Sequence, residues 1–129
     1  MDVLKELKAR GFIKQFTDEA GLSARLNQEP LTFYVGFDPT GDSLHVGHLL
    51  PVMCAAWLQR AGHRALIILG GGTAMVGDPS GKDKTRTLLT REQVQQNLEG
   101  QRPQFLRFLN QEQTTFLDNS DWLLSLNYV

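Results

Sequence analysis

The sequence predicts an open α/β fold, a parallel sheet with flanking helices, and three observations carry that expectation. Two short apolar runs, 31–36 and 65–69, each end at a glycine. A stretch with helical periodicity separates them, and another precedes a third β-prone run at 114–118. Strand, helix, strand, helix, strand is the connection pattern of parallel strands, which need a crossover long enough to return the chain to its starting edge. The 129 residues fit one core at the usual ~100–200 residues per domain.

Each element has its own signal. Val3, Leu4 and Leu7 fall at helical spacing in 3–10, and Gly11 supplies a stop. Asp18 is a good N-cap for a second helix carrying Ala20, Leu22 and Leu26, closed by Pro30. Residues 1–29 thus read as an N-terminal helical segment. Leu31-Thr32-Phe33-Tyr34-Val35-Gly36 is β-branched and aromatic, the first strand, followed by a loop from Phe37 to about Leu44. From Val46, the residues Leu49, Leu50, Met53, Ala56, Trp57 and Leu58 recur at helical spacing until Gly62. Ala65-Leu66-Ile67-Ile68-Leu69 is continuously apolar, as expected of a strand covered on both faces. Thr90 with Gln93 forms a capping box for a helix reaching Leu109, which Pro103 is expected to kink or split. Thr114–Asp118 is the third strand, and Asn119 or Ser120 can cap a last short helix.

Composition narrows the class. Apolar residues at 41% and charged residues at 21% are ordinary for a globular protein and argue against disorder, collagen and coiled coil. A net charge of −1 gives no global field for nucleic acid, so any such partner needs a local patch. The single cysteine, Cys54, sits in an apolar helical run and reads as a small hydrophobe in a reducing compartment. Lys5, Glu6, Lys8 and Arg10 interrupt any leader-like apolar stretch, and no run approaches the ~18 apolar residues of a membrane helix. The expectation is a cytoplasmic protein without a membrane partner.

Two clusters carry chemistry, and both follow strands. Gly70, Gly71, Gly72, Gly77 and Gly81 fall within twelve residues. A dinucleotide fingerprint fails there because Met75 stands where the third glycine belongs. A Walker A loop fails because Val76 replaces its first glycine and Asp83 its Ser or Thr. His45-Val46-Gly47-His48 opens a helix. Two histidines three apart could ligate a metal, but no Glu or Cys supports them, and no metal site is assigned. A helix start offers N–H groups and a positive dipole end to a phosphate, with imidazoles adding donors and Gly47 allowing close approach. Read alone, the tetrapeptide is equally compatible with surface or capping histidines. In open α/β folds ligands sit beyond the carboxyl ends of the strands, which puts both clusters at one end of the sheet.

The string Tyr34-Val35-Gly36-Phe37-Asp38-Pro39-Thr40-Gly41-Asp42-Ser43-Leu44-His45-Val46-Gly47-His48 resembles the first signature of the class I aminoacyl-tRNA synthetases in their bacterial, tyrosine-specific form. Gly70-Gly71-Gly72-Thr73, then Gly77-Asp78-Pro79-Ser80-Gly81-Lys82 and Arg86, resembles their second block. The resemblance covers essentially the whole chain. It implies a Rossmann-like catalytic domain of which 1–129 is the N-terminal part, lacking the family's later tyrosine-recognition helix, Gly-Gly-Ser-Asp-Gln segment, lysine loop and tRNA-binding domains. Val35, Pro51 and Pro103 depart from the family's usual residues.

The resemblance further implies a tyrosine–tRNA ligase, in which the tyrosine carboxylate attacks the α-phosphorus of ATP, expels pyrophosphate, and the tyrosyl group then passes to tRNA(Tyr). ATP, with the Mg2+ it carries, is a substrate, and the parent enzyme is expected to be a homodimer. On the matching positions, His45 and Thr40 would hold the departing phosphates, and His48 and Gly47 would lie against the nucleotide. Lys82 and Arg86 would reach pyrophosphate. Tyr34, placed at the end of the first strand, would hydrogen-bond the substrate phenol, and Asp78 with Thr73 beside it would take the ammonium group. Gly36 belongs to both the ATP and the tyrosine site, as does Asp38, facing ribose or the reacting centre. Two other classes fit the same loops: a nucleotide-binding fragment without catalysis, and a purely structural or interaction domain.

Overall fold

The computed structural model describes residues 2–76 and 89–126. Helices α1 (Val3–Ala9) and α2 (Glu19–Gln28) come first, then β1 (Thr32–Phe37), α3 (Val46–Arg60), β2 (Arg64–Leu69), α4 (Gly71–Val76), α5 (Arg91–Phe105), β3 (Thr114–Asp118) and α6 (Ser120–Leu123). The three strands are parallel in the order β1-β2-β3. The register pairs Phe37 with Leu69 and Leu69 with Asp118, so the three carboxyl ends lie side by side. The open parallel α/β fold is as the sequence predicts.

Local chemistry sets the boundaries. Asp2 and Asp18 cap α1 and α2 by accepting the N–H groups of Lys5 and Gly21. Gly11 and Gly62 end α1 and α3 at φ +76° and +97°, values that cost a glycine little and any other residue more. The guanidinium groups of Arg10 and Arg60 lie 4.3 and 4.7 Å from the Trp57 ring of α3, and the Arg10 contact ties the end of α1 to α3.

The core forms on one face of the sheet. Phe37, Ala65, Ile67 and Leu69 meet Val52 and Ala55 of α3 and Val94, Leu98 and Phe105 of α5. Phe105 is fully buried, with its ring 4.8 Å from Phe37 and 6.0 Å from Phe116, and burial of such a side chain contributes about 1.5–3 kcal/mol. The opposite face carries exposed Thr32, Tyr34, Gly36, Thr115 and Leu117 and half-buried Leu66 and Ile68. The expectation that the second strand is covered on both faces is therefore corrected: among the described residues β2 is covered on one. A continuous apolar run records hydrophobicity and not which helices are present to cover it.

Two further findings concern helices. The start of the glycine cluster, to which the sequence analysis assigns no element, forms a short helix, α4, stabilised by contacts described below. Pro103 lies inside α5 without splitting it, because the carbonyl deprived of a donor belongs to exposed Glu99, within reach of water. The helix stops at Phe105, short of Leu109.

Candidate nucleotide site

The site is assembled at the carboxyl ends of β1 and β2. The Gly70 N–H donates to Phe37 O at 2.8 Å, which brings the turn after β2 against the turn after β1. There the Thr73 hydroxyl donates to Asp38 Oδ1 at 2.9 Å. A Cβ at Gly70 would collide with Asp38 Oδ1 and lie 2.5 Å from Thr73 Oγ1, and one at Gly71 would overlap the Asp118 carboxylate. These glycines are close-approach positions for side chains of neighbouring strands. Asn119 completes the network: its Oδ1 accepts the buried Gly72 N–H at 2.8 Å and its Nδ2 donates to Thr73 Oγ1 at 3.2 Å. Asn119 stands at the N-cap position of α6 without capping it, its side chain being turned toward α4.

The start of α3 is built by its two histidines. His45 Nδ1 accepts the Gly47 N–H at 3.0 Å, and His48 Nδ1 accepts the His45 N–H at 3.1 Å. The rings stack with centroids 3.8 Å apart, and His48 also meets the edge of Phe37 at 5.8 Å. A Cβ on Gly47 would lie 2.8 Å from His45 Cε1, so this glycine is what lets the ring fold back over the helix start. The His48 N–H is used as well, by His45 O at 2.9 Å. The N–H groups of Gly47 and His48, counted on for an anion, are thus satisfied within the turn. With both Nδ1 atoms accepting, the neutral rings carry their protons on Nε2, and those Nε2–H groups are side-chain donors open to a ligand. Burial holds the His48 pKa below its ordinary value, with the charge of His45 adding to the effect.

The loop between these parts, 38–44, is held from α5. Asn97 Nδ2 donates to Pro39 O (2.8 Å), Gln101 Nε2 to Gly41 O (2.7 Å) and Gln104 Nε2 to Asp42 O (3.2 Å), while Gln104 Oε1 accepts the Leu44 N–H (3.0 Å). The sequence reading missed these three carboxamides and Asn119. The only signal for the three is a polar stripe at 97, 101 and 104 interleaved with the apolar one.

Of the predicted site residues, Asp38 and Thr73 are joined directly, Gly47, His45 and His48 form one turn, and Thr40 is exposed on the loop between them. Gly36 faces the open side of β1, the nearest atom to an added Cβ being Ile68 O at 3.9 Å. Tyr34 is corrected in place: it is the third residue of β1 and not its end, because the strand continues to Phe37. Its side chain is 72% exposed beside an apolar recess of about 340 Å³ walled by Phe12, Leu50, Pro51 and Cys54. Asp78, Lys82 and Arg86 lie outside the described residues. No helix among the described residues is long and apolar enough to cross a membrane.

Comparison with known proteins is consistent with this geometry. Residues 26–129 match the family described as "tRNA synthetases class I (W and Y)". The chain is 54% identical over 130 residues to a tyrosine–tRNA ligase of Clostridium botulinum (strain Eklund 17B / Type B), covering 99% of this chain and 32% of that protein. It is 49% identical over 131 residues to a tyrosine–tRNA ligase of Caldanaerobacter subterraneus subsp. tengcongensis, covering 100% and 32%. Its fold superposes on a C-terminally truncated mitochondrial tyrosyl-tRNA synthetase of Aspergillus nidulans with a TM-score of 0.79 at 27% identity, covering 98% of this chain and 40% of that one. The tyrosyl-tRNA synthetase of Archaeoglobus fulgidus shares the fold at a TM-score of 0.67 and 21% identity, covering 98% and 38%. The chain spans 31–32% of the length of the curated relatives it matches. With its parallel sheet, its histidine-built helix start and a family match over most of its length, this chain belongs to the class I tRNA synthetases of the W and Y group.

Proposed function

We propose that the chain supplies the ATP-phosphate side and part of the tyrosine side of a tyrosine–tRNA ligase that activates tyrosine as tyrosyl-adenylate and transfers it to tRNA(Tyr). The observation that carries this reading is the stacked pair of His45 and His48 at the start of α3, whose Nδ1 atoms both accept backbone N–H groups and so leave Nε2–H to a ligand, at the sheet end that also carries the Asp38–Thr73 pair. The reaction needs the tyrosine carboxylate to meet the α-phosphorus in line while charge builds on the departing pyrophosphate. Positioning and preorganised donors supply most of such a rate enhancement. His45 and Thr40 hold the departing phosphates, and His48 and Gly47 lie along the nucleotide. Lys82 and Arg86 add positive charge at pyrophosphate. Tyr34 addresses the phenol, Asp78 and Thr73 the ammonium group, Gly36 leaves room on the open face, and Asp38 orients Thr73 or the ribose. Mg2+ enters with ATP, and the parent enzyme works as a cytoplasmic homodimer.

The exposure of Tyr34 and the open face of β1 favour a second reading for the chain by itself, a nucleotide-binding fragment without catalysis. Tyrosine-dependent exchange between ATP and labelled pyrophosphate separates the two, with a His45→Ala preparation excluding host enzyme. Tyrosine-selective exchange above that control supports the ligase site. ATP-induced shifts without exchange leave the fragment reading, and neither signal overturns both.

A further inference from the structure

The strongest polar feature outside the ligand-facing residues is the contact between α5 and the 38–44 loop. Asn97, Gln101 and Gln104 fall at i, i+4 and i+7, on one side of a helix. Between them they donate to the carbonyls of Pro39, Gly41 and Asp42. Gln104 also accepts from the Leu44 N–H at 3.0 Å and the Ser43 hydroxyl at 3.2 Å. Its amide is braced in turn by Gly100 O at 2.9 Å. Gly100 permits the approach, since a Cβ there would lie 2.5 Å from Asp42 O. Gln101 is fully buried and its Oε1 has no hydrogen-bond partner among the described residues. A buried unpaired acceptor is costly, whereas an apolar residue of the same length leaves none on the helix, so core packing alone does not favour glutamine here. What the amide does is hold Gly41 O.

Resting on the nucleotide reading above, we propose that Asn97, Gln101 and Gln104 are positioning residues for the phosphate loop. By fixing the carbonyls of 39, 41 and 42 and the amide of Leu44, they set where Thr40 lies and the angle at which the chain enters His45. From that entry angle the His45 ring accepts the Gly47 N–H and stacks on His48. The ladder thus acts on the ligand through the tautomer and direction of the two imidazoles, and none of its members touches the ligand.

The test uses the 129-residue chain and the variants Gln104→Met, Gln101→Leu and Gln104→Glu, followed by imidazole 15N spectra, amide hydrogen exchange and an ATP titration. Gln104→Met should speed exchange of the Leu44 amide about tenfold, the loss expected for roughly one hydrogen bond. It should move the His45 and His48 nitrogens off the Nε2–H tautomer and leave His63 as an unmoved internal reference. ATP binding should weaken about five- to tenfold, again the scale of one hydrogen bond. Gln101→Leu, which also removes the unpaired acceptor, should stay folded and shift the same signals. Gln104→Glu keeps the acceptor for Leu44 but turns a carboxylate oxygen toward the carbonyls of Asp42 and Gly100, so it should protect the Leu44 amide better than Gln104→Met does and still shift the imidazole signals. Unmoved imidazole and Leu44 signals in both Gln104→Met and Gln101→Leu overturn the proposal. So does unchanged ATP affinity in a chain that binds ATP. If the unsubstituted chain shows no ATP-induced shifts, the nucleotide reading is what fails, and the imidazole and exchange data still decide whether the ladder positions the loop.

Discussion

His45 and His48 stack at 3.8 Å while each Nδ1 accepts a backbone N–H of the same turn, so the two rings cap α3 and orient one another. A proton on either Nδ1 breaks a cap bond and places charge against the neighbouring ring. Burial, and then the charge of His45, depress the folded-state pKa of His48 below 6.5. Burial does the same for His63, whose Nδ1 accepts the Leu31 N–H. In a window below 6.5 the unfolded chain binds the protons first, so this stability is intact above 6.5 and is lost as the pH falls to the folded pKa values. Thermal melts should therefore drop across that window. His48→Asn, which keeps an acceptor near the Nδ1 position, should melt close to the parent at neutral pH and show a shallower acid loss. His48→Ala should lose about 0.5–2 kcal/mol, the range for a removed cap. Identical pH profiles for His48→Asn and the parent would assign the dependence to His63.

Gly36→Ala separates ligand contact from folding. The added Cβ has only Ile68 O near it, at 3.9 Å, and an alanine in a strand is better than a glycine by roughly 0.5–1 kcal/mol. The melting temperature should hold or rise. If ATP or tyrosine packs on this face, affinity should fall severalfold, and unchanged titrations of both ligands would remove Gly36 from the site.

Gly47→Ala makes the complementary case at the helix start. Alanine raises helix propensity by about 1 kcal/mol, but its Cβ lies 2.8 Å from His45 Cε1 and must push that exposed ring away. Stability should change by less than about 1 kcal/mol as the two effects offset. The imidazole spectra should lose the Nδ1-accepting signature of His45, and ATP binding should weaken. A retained signature would mean that the ring does not depend on Gly47.

These cases show which features were legible in the sequence. Strands and long helices were, because alternation in Thr32–Phe37 and the stripe from Val46 to Leu58 record which side meets the core. The pairing of two signatures at one sheet end was legible too, since parallel topology brings successive carboxyl ends together. The helix at Gly71–Val76 was not, because three glycines carry low helix propensity and only Asp38, Asp118 and Asn119, at the carboxyl ends of the neighbouring strands, explain them. At the start of α3 the sequence reading counted backbone N–H groups and imidazoles together, and the use of the Gly47 and His48 N–H groups within the turn was not legible for a similar reason. Whether an N–H is free depends on how His45 turns, which spacing does not encode.

Gly70→Ala should be among the more damaging substitutions near the site. Its Cβ would overlap Asp38 Oδ1 and lie 2.5 Å from Thr73 Oγ1, and the Gly70 backbone is tied to Phe37 O. Relief requires breaking the Asp38–Thr73 bond or shifting the turn, at a cost of about 1–3 kcal/mol for an overpacked position. Asp38→Asn with Gly70 retained preserves the space and should lose less than about 1.5 kcal/mol, the scale of a hydrogen bond weakened from charged to neutral. Denaturant melts of the two variants check the order, and a Gly70→Ala chain as stable as the parent would show that the two turns are not packed as described.

Asn119, which follows Asp118 at the end of β3, links that strand to the site by hydrogen bonds, and its two ends make separable predictions. Oδ1 accepts the buried Gly72 N–H at 2.8 Å, while Nδ2 donates to the Thr73 hydroxyl at 3.2 Å. That second bond occupies a lone pair of the hydroxyl and leaves its proton for Asp38 Oδ1 at 2.9 Å, with Gly70 O at 3.2 Å as the other acceptor within reach. Asn119→Ala leaves a buried N–H unpaired and should cost about 1–3 kcal/mol. Asn119→Asp keeps the acceptor for Gly72 but puts a carboxylate where a donor was, so Thr73 has two acidic partners competing for one proton. Asn119→Asp should retain more stability than Asn119→Ala at Gly72, seen as slow exchange of that amide, yet disturb Thr73 more, seen in its hydroxyl and methyl signals. Under the proposed function it should also weaken ATP and tyrosine binding through added negative charge. Rapid Gly72 exchange in Asn119→Asp, or an undisturbed Thr73, would break the link drawn from β3 through Asn119 to Asp38.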